Sequence, residues 1–149
     1  HRGQFGAMID ALLERGYAAV ALDEPAHGES AGDELTAVKF IAALERVLDH
    51  LKSVHAVIGH SMGAAMALHT LATRGGATRA ALISAPSALG RELRRFAKSV
   101  GLSNRGTRAF IRSVEEHVGR PADDFDVRHI ASEIELWSGV ARANQITAQ

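Results

Sequence analysis

The sequence predicts an α/β protein, a three-layer αβα sandwich with a mostly parallel sheet, followed by a helical segment. Three observations predict it. Short apolar runs alternate with longer helical patterns through the first 85 residues, the order that βαβ units produce. Those runs are unbroken by polar residues, as in strands covered on both faces. After Pro86 the alternation stops, and from Leu89 to Val118 there are two helical patterns with no strand-like run between them. The chain therefore divides at residue 87, with an α/β unit over residues 1–87 and a helical segment with a weakly patterned tail over 88–149.

Met8, Ile9, Leu12 and Leu13 have helical spacing, and Gly16 beyond them is a natural stop because it tolerates positive φ. A helix is expected near 6–15. Ala18-Ala19-Val20-Ala21-Leu22 reads as a buried strand, and the polar run Asp23 to Ser30, punctuated by Pro25 and Gly28, as a loop. Val38, Ile41, Leu44, Leu48 and Leu51 recur every three or four residues and predict a helix over 35–51, capped by Asp33 or Thr36. Val54 to Ile58 reads as a strand, Met62 to Thr73 as a small-residue helix stopped by Gly75-Gly76, and Ala80 to Ser84 as a further strand. Beyond Pro86, Leu89, Leu93, Phe96, Ala97 and Val100 predict a helix over 88–99 capped by Ser87. Ala109, Phe110, Val114 and Val118 predict one over 106–118 ended by Gly119. Phe125, Val127 and Ile130 are expected to pack locally, and Ile134, Leu136 and Trp137 form a small apolar group before a tail that frays.

Composition narrows the function classes. The 149 residues suit one domain, and 17 basic against 17 acidic residues give no net charge to attract nucleic acid or an anionic surface. Residues 91–120 hold eight Arg and Lys against three Asp and Glu, but no aromatic interleaving or nucleic-acid motif accompanies them. They read as the solvated face of two helices. With no cysteine there is no disulfide, thiolate metal site or cysteine nucleophile. No apolar run reaches the ~20 residues of a membrane span, and no export signal opens the chain. A cytoplasmic location is the expectation.

One motif carries chemistry. Gly59-His60-Ser61-Met62-Gly63 is a G-x-S-x-G directly after a predicted strand and directly before a predicted helix. Such a turn holds the serine in strained backbone geometry with Oγ exposed above the sheet edge. The flanking glycines, Gly59 and Gly63, answer its close packing. The helix that follows brings unpaired N–H groups and the positive end of its dipole toward a developing oxyanion. The competing reading is a serine that merely caps a helix between two permissive glycines. His60 diverges from Ser61 at such a turn and reads as a pocket-lining or packing residue.

Three segments together resemble the α/β-hydrolases, in particular serine hydrolases similar to monoglyceride lipases and the serine aminopeptidase-like branch. They are Gly16 to Gly32, containing Asp23-Glu24-Pro25-Ala26-His27-Gly28-Glu29-Ser30; then Val57 to Gly63; then Leu82-Ile83-Ser84-Ala85-Pro86. The resemblance covers about residues 3–88. It implies Ser61 as nucleophile, with the backbone N–H of Met62 and one near Gly3 as the oxyanion hole, and a small-molecule ester or amide as substrate. Esters are favoured, and neither cofactor nor metal is needed. His27 is implied to stabilise its loop and Asp23 to stand at a strand end, neither being catalytic. The segment 88–120 resembles the helical cap over such sites, with Leu89, Phe96 and Phe110 as candidate substrate contacts.

Acyl transfer also needs a base at Oγ and an acid to orient it. The resemblance puts both on loops after later strands, and residues 121–149 contain no counterpart. His117 reads as a partner of its helix dipole, and Asp126 with His129 as a solvated local pair. The implied early strand, between those at 18–22 and 54–58, has no counterpart either, and His1-Arg2 opens the chain without a starting Met. The expectation is a piece of a serine hydrolase with little turnover alone, whose incomplete sheet edges favour self-association. The alternative is a non-catalytic binding or structural module on the same scaffold.

Overall fold

The structure, a computed structural model, describes residues 2–126. A single 3-10 turn at Arg2–Phe5 runs into helix α1 (Gly6–Leu13), and α2 (Ala37–Leu51) follows a long loop. Strand β1 (Val54–His60), helix α3 (Met62–Arg74) and strand β2 (Ala77–Ile83) form one βαβ unit, its strands parallel with Val54 opposite Ala77 and His60 opposite Ile83. Helices α4 (Leu89–Ser99) and α5 (Asn104–Val118) come next, then a 3-10 turn at Ala122–Phe125. No helix among the described residues is long and apolar enough to cross a membrane.

The spacing of α2 does what amphipathic spacing does. Leu44 and Leu48 meet Ala67 of α3 over Val54, Val57 and Leu82 of the sheet, while Phe40 and Ile41 meet Ala65 and Met66. Small residues along α3 (Ala64, Ala65, Ala67) let it lie close to both strands. Thr36, not Asp33, caps α2, its Oγ1 accepting the Lys39 N–H at 3.2 Å, a contact worth about 1 kcal/mol. Gly119 ends α5 in the left-handed conformation, φ 75°, as its place in the sequence predicts.

Several expectations are corrected. Residues 18–22 join no ladder: among the described residues the sheet has two strands, and β1 bonds only to β2. An apolar run becomes a strand only where a neighbour bonds its N–H and C=O groups, and among the described residues none pairs with this one. Val20 is accordingly 66% exposed, although Leu22 still reaches the core. Ser87 does not cap α4, whose N-cap is Ala88 with no side-chain bond. Phe125 packs not locally but into the main core, 2% exposed, beside Phe40, Ile41 and Met66. Val127, Ile130, the group of Ile134, Leu136 and Trp137, and the tail lie outside the described residues.

Two glycines flank the β1–α3 corner, and only one is demanded by space. A Cβ on Gly59 would stand 2.6 Å from the Ala64 Cα and 2.9 Å from the Gly63 carbonyl oxygen, backbone atoms that cannot give way. A Cβ on Gly63 would meet the Phe40 ring at 3.6 Å, ordinary contact, so close packing does not explain that glycine. Gly59→Ala is therefore expected to cost about 2–3 kcal/mol by forcing the strand and helix apart. Gly63→Ala, inside a helix, should leave stability unchanged or raise it by about 0.5–1 kcal/mol. Urea unfolding of the two variants checks the contrast.

Candidate active site

Ser61 sits at the corner itself, with φ 53° and ψ −124°. An L-residue avoids this region at a cost of order 1–3 kcal/mol, so neighbouring contacts must hold it there. Its N–H donates to the Ile83 carbonyl at 2.9 Å, tying the corner to the end of β2. Its own carbonyl accepts from Ala64 and Ala65 at 3.0 and 3.2 Å, starting α3. The hydroxyl does none of this. Ser61 occupies the N-cap position without any side-chain cap bond, and Oγ makes no hydrogen bond among the described residues. Helix capping therefore does not account for the serine. The Met62 N–H, first in α3, likewise has no acceptor among the described residues.

The 23–30 loop is built around a buried carboxylate. Asp23 Oδ1 accepts the Arg2 N–H at 2.8 Å, Oδ2 accepts the Glu29 N–H at 3.4 Å, and the Arg2 guanidinium stands 3.4 Å away. The Arg2 N–H, foremost, holds the Asp23 carboxyl below the usual carboxylate range, against burial, which pushes it up. Ser30 Oγ donates to the Asp23 carbonyl at 2.7 Å, and Gly28, at φ 56°, passes where any Cβ would strike the Asp23 carboxylate. His27 binds within its loop, Nδ1 3.0 Å from the Pro25 carbonyl oxygen. Every fixed letter of the Asp-x-Pro-x-His-Gly-x-Ser run except the proline ring thus has a contact. Through Arg2 this hub anchors the turn that carries Gly3. Leu22, just before it, packs against the core cluster that includes Ala65 and Met66 of α3.

An open cleft of about 570 Å³ lies between α2 and the α4–α5 hairpin. Leu35, Phe40, Leu89, Leu93, Phe110 and Val114 give it apolar walls, and Met62 lines it beside the corner. Leu89 and Phe110 both line it, and Leu89 also packs against the core. Phe96 does not line it: it packs on the Phe110 ring at 5.9 Å with 55% of its surface exposed. The cleft also holds a polar contact that sequence reasoning missed. His117 Nε2 is 2.7 Å from Glu34 Oε2, and Lys39 Nζ bonds the other carboxylate oxygen. Lys39, then His117, hold the Glu34 carboxyl below its usual range. His117 therefore serves a tertiary contact, and no local pattern announces a partner 83 residues away. His60 is exposed at the end of β1, and His129 lies outside the described residues. Among those residues no three His, Cys, Asp or Glu side chains converge as metal ligands.

A parallel strand–turn–helix unit with a strained serine at its corner places the chain in the class of α/β-hydrolases. The family model described as serine aminopeptidase, S33, matches residues 1–128, and the chain belongs to that family. No curated protein and no solved structure matches it. The protein is thus a hydrolase of the α/β-hydrolase type.

Asp23 makes acid stability testable. Because its folded value is depressed, its contribution is present above the ordinary carboxylate value of about 3.9 and is lost as pH falls through the lower folded value. Asp23→Asn should lower the melting temperature at neutral pH, and the gap from the unmodified chain should close at the acid end. Thermal unfolding between pH 2 and 7 measures it.

Proposed function

We propose that Ser61 is the nucleophile of a serine hydrolase acting on carboxylic esters with a small or medium acyl part, with amides as poorer substrates. The observation that carries this reading is the Ser61 hydroxyl, held exposed on a strained corner and engaged in no structural bond. Oγ attacks the carbonyl carbon and loses its proton to a histidine. The Met62 N–H, at the positive end of α3, and an N–H at Gly3 receive the oxyanion. The tetrahedral intermediate expels the alcohol, and water then releases the acyl group. Residues 1–87 act as the core and 88–149 as the cap-like segment. The apolar cleft beside Met62 takes the acyl group, an assignment that its lining supports. The family's name, serine aminopeptidase, points to N-terminal peptide bonds, so aminoacyl anilides are the comparison substrates.

The base and its carboxylate partner come, in this reading, from outside residues 2–126, since no histidine there bonds Ser61 Oγ. That same observation favours the second reading, a binding module on a hydrolase scaffold. Incubation with a fluorophosphonate and with an activated short-chain ester separates them. With the base supplied, Ser61 is labelled and the ester is turned over. Ser61→Ala abolishes labelling and lowers turnover by about 10⁴-fold or more, with the melting temperature unchanged. Residues 1–149 alone should show little or no turnover, because an unassisted hydroxyl is a poor nucleophile. Turnover that survives Ser61→Ala identifies another nucleophile, and ester binding without labelling in any context supports the module.

A further inference from the structure

We propose that the Glu34–His117 hydrogen bond is a clasp across the cleft that fixes its width. The two residues are then the positioning pair that decides which acyl groups enter, an inference resting on the reading of the cleft as the acyl site. The two side chains stand on opposite walls. Glu34 belongs to the turn before α2, the wall that includes Leu35 and Phe40, and His117 to α5, the wall that includes Phe110 and Val114. Their 2.7 Å contact joins those walls directly.

Both partners are prepared for the contact. Lys39 fixes the Glu34 carboxylate from the first turn of α2, and the Lys39 backbone is itself held by the Thr36 cap. The acceptor therefore loses little freedom when the bond forms. His117 lies in the last turn of α5, where the negative end of the helix favours a side chain that donates a hydrogen bond. Of the charges nearby, Glu115 accepts the Ala122 N–H at 2.9 Å, and Arg120 pairs with Asp124 at 3.1 Å. Around the clasp, the hairpin is seated on the core by Leu89 at the start of α4 and by Phe125 beyond α5. Its turn, with Val100 and Leu102, is exposed. The clasp lies at that seated end, where it holds the last turn of α5 to the segment before α2.

The distinguishing feature is coupling, which a merely structural surface pair does not transmit to ligand affinity. The probe is a dansyl-labelled undecanoate methyl ester, titrated by fluorescence into the full 149-residue chain, with hydrogen exchange over Phe110–Val118 as an independent readout. Glu34→Ala and His117→Ala should each weaken binding about three- to fivefold, the scale of one partly exposed ion pair. The double variant should be no worse than either single one, and exchange in α5 should rise in all three. Affinities unchanged by the single variants, or losses that add in the double variant, overturn the clasp. If the unmodified chain does not bind the probe, the acyl-cleft reading fails. The clasp is then judged by exchange alone, and unchanged α5 exchange overturns it.

Discussion

Where β1 meets α3, strand and helix come so close that Gly59 touches the backbone of Ala64 with no room for a Cβ. The rest of the site depends on that approach. It forces the turn into a single residue, which puts Ser61 at φ 53°, and it aims the first N–H groups of α3 at the space above the corner. The strain is held locally by the bond from the Ser61 N–H to Ile83, so β2 is as much a part of the corner as β1. The neighbouring small residues belong to the same constraint, because Ala64, Ala65 and Ala67 carry the close contact along the helix. A larger residue anywhere on this seam would move the serine before it removed any chemistry.

A second centre stands at Asp23. A buried carboxylate needs donors, and here two backbone N–H groups and a guanidinium supply them. The two N–H donors come from opposite sides in sequence, Arg2 upstream and Glu29 downstream, so one side chain fixes both the chain's first turn and the 23–30 loop. Gly28 is required for a reason unrelated to turn preference alone, since the carboxylate fills the place of its Cβ. The loop is thus a device for seating one acid, and its histidine is spent on holding the loop's own backbone.

The α4–α5 hairpin adds the apolar wall that a corner serine lacks. Its seating is mixed in character: Leu89 and Phe125 bury apolar surface against the core, whereas His117 reaches Glu34 through a partly exposed polar contact. Apolar seating is non-directional and tolerates small shifts, while a 2.7 Å hydrogen bond does not. The width of the cleft is for that reason more sensitive to two polar residues than to the several apolar ones that line it.

The sequence by itself determined the elements whose cause is local. Apolar spacing marked α2, α4 and α5 and small residues marked α3, because periodicity and composition are local; Gly119 marked the end of α5 because caps are short-range; the Gly59 to Gly63 run marked the corner because its sterics lie within a few consecutive residues, Gly59 against Ala64. Tertiary structure decided whatever needs a partner distant in sequence. Residues 18–22 have strand composition and no ladder, because a strand exists only beside another. Gly63 resembles Gly59 in the motif, and only the position of the Phe40 ring shows that the space around it is open. Phe125 looked like a local contact until the core received it, and His117 looked like a dipole partner until the fold brought Glu34 to its ring. Local sterics and periodicity are written in consecutive residues, whereas a pairing across 83 positions leaves no trace until the chain has closed on itself.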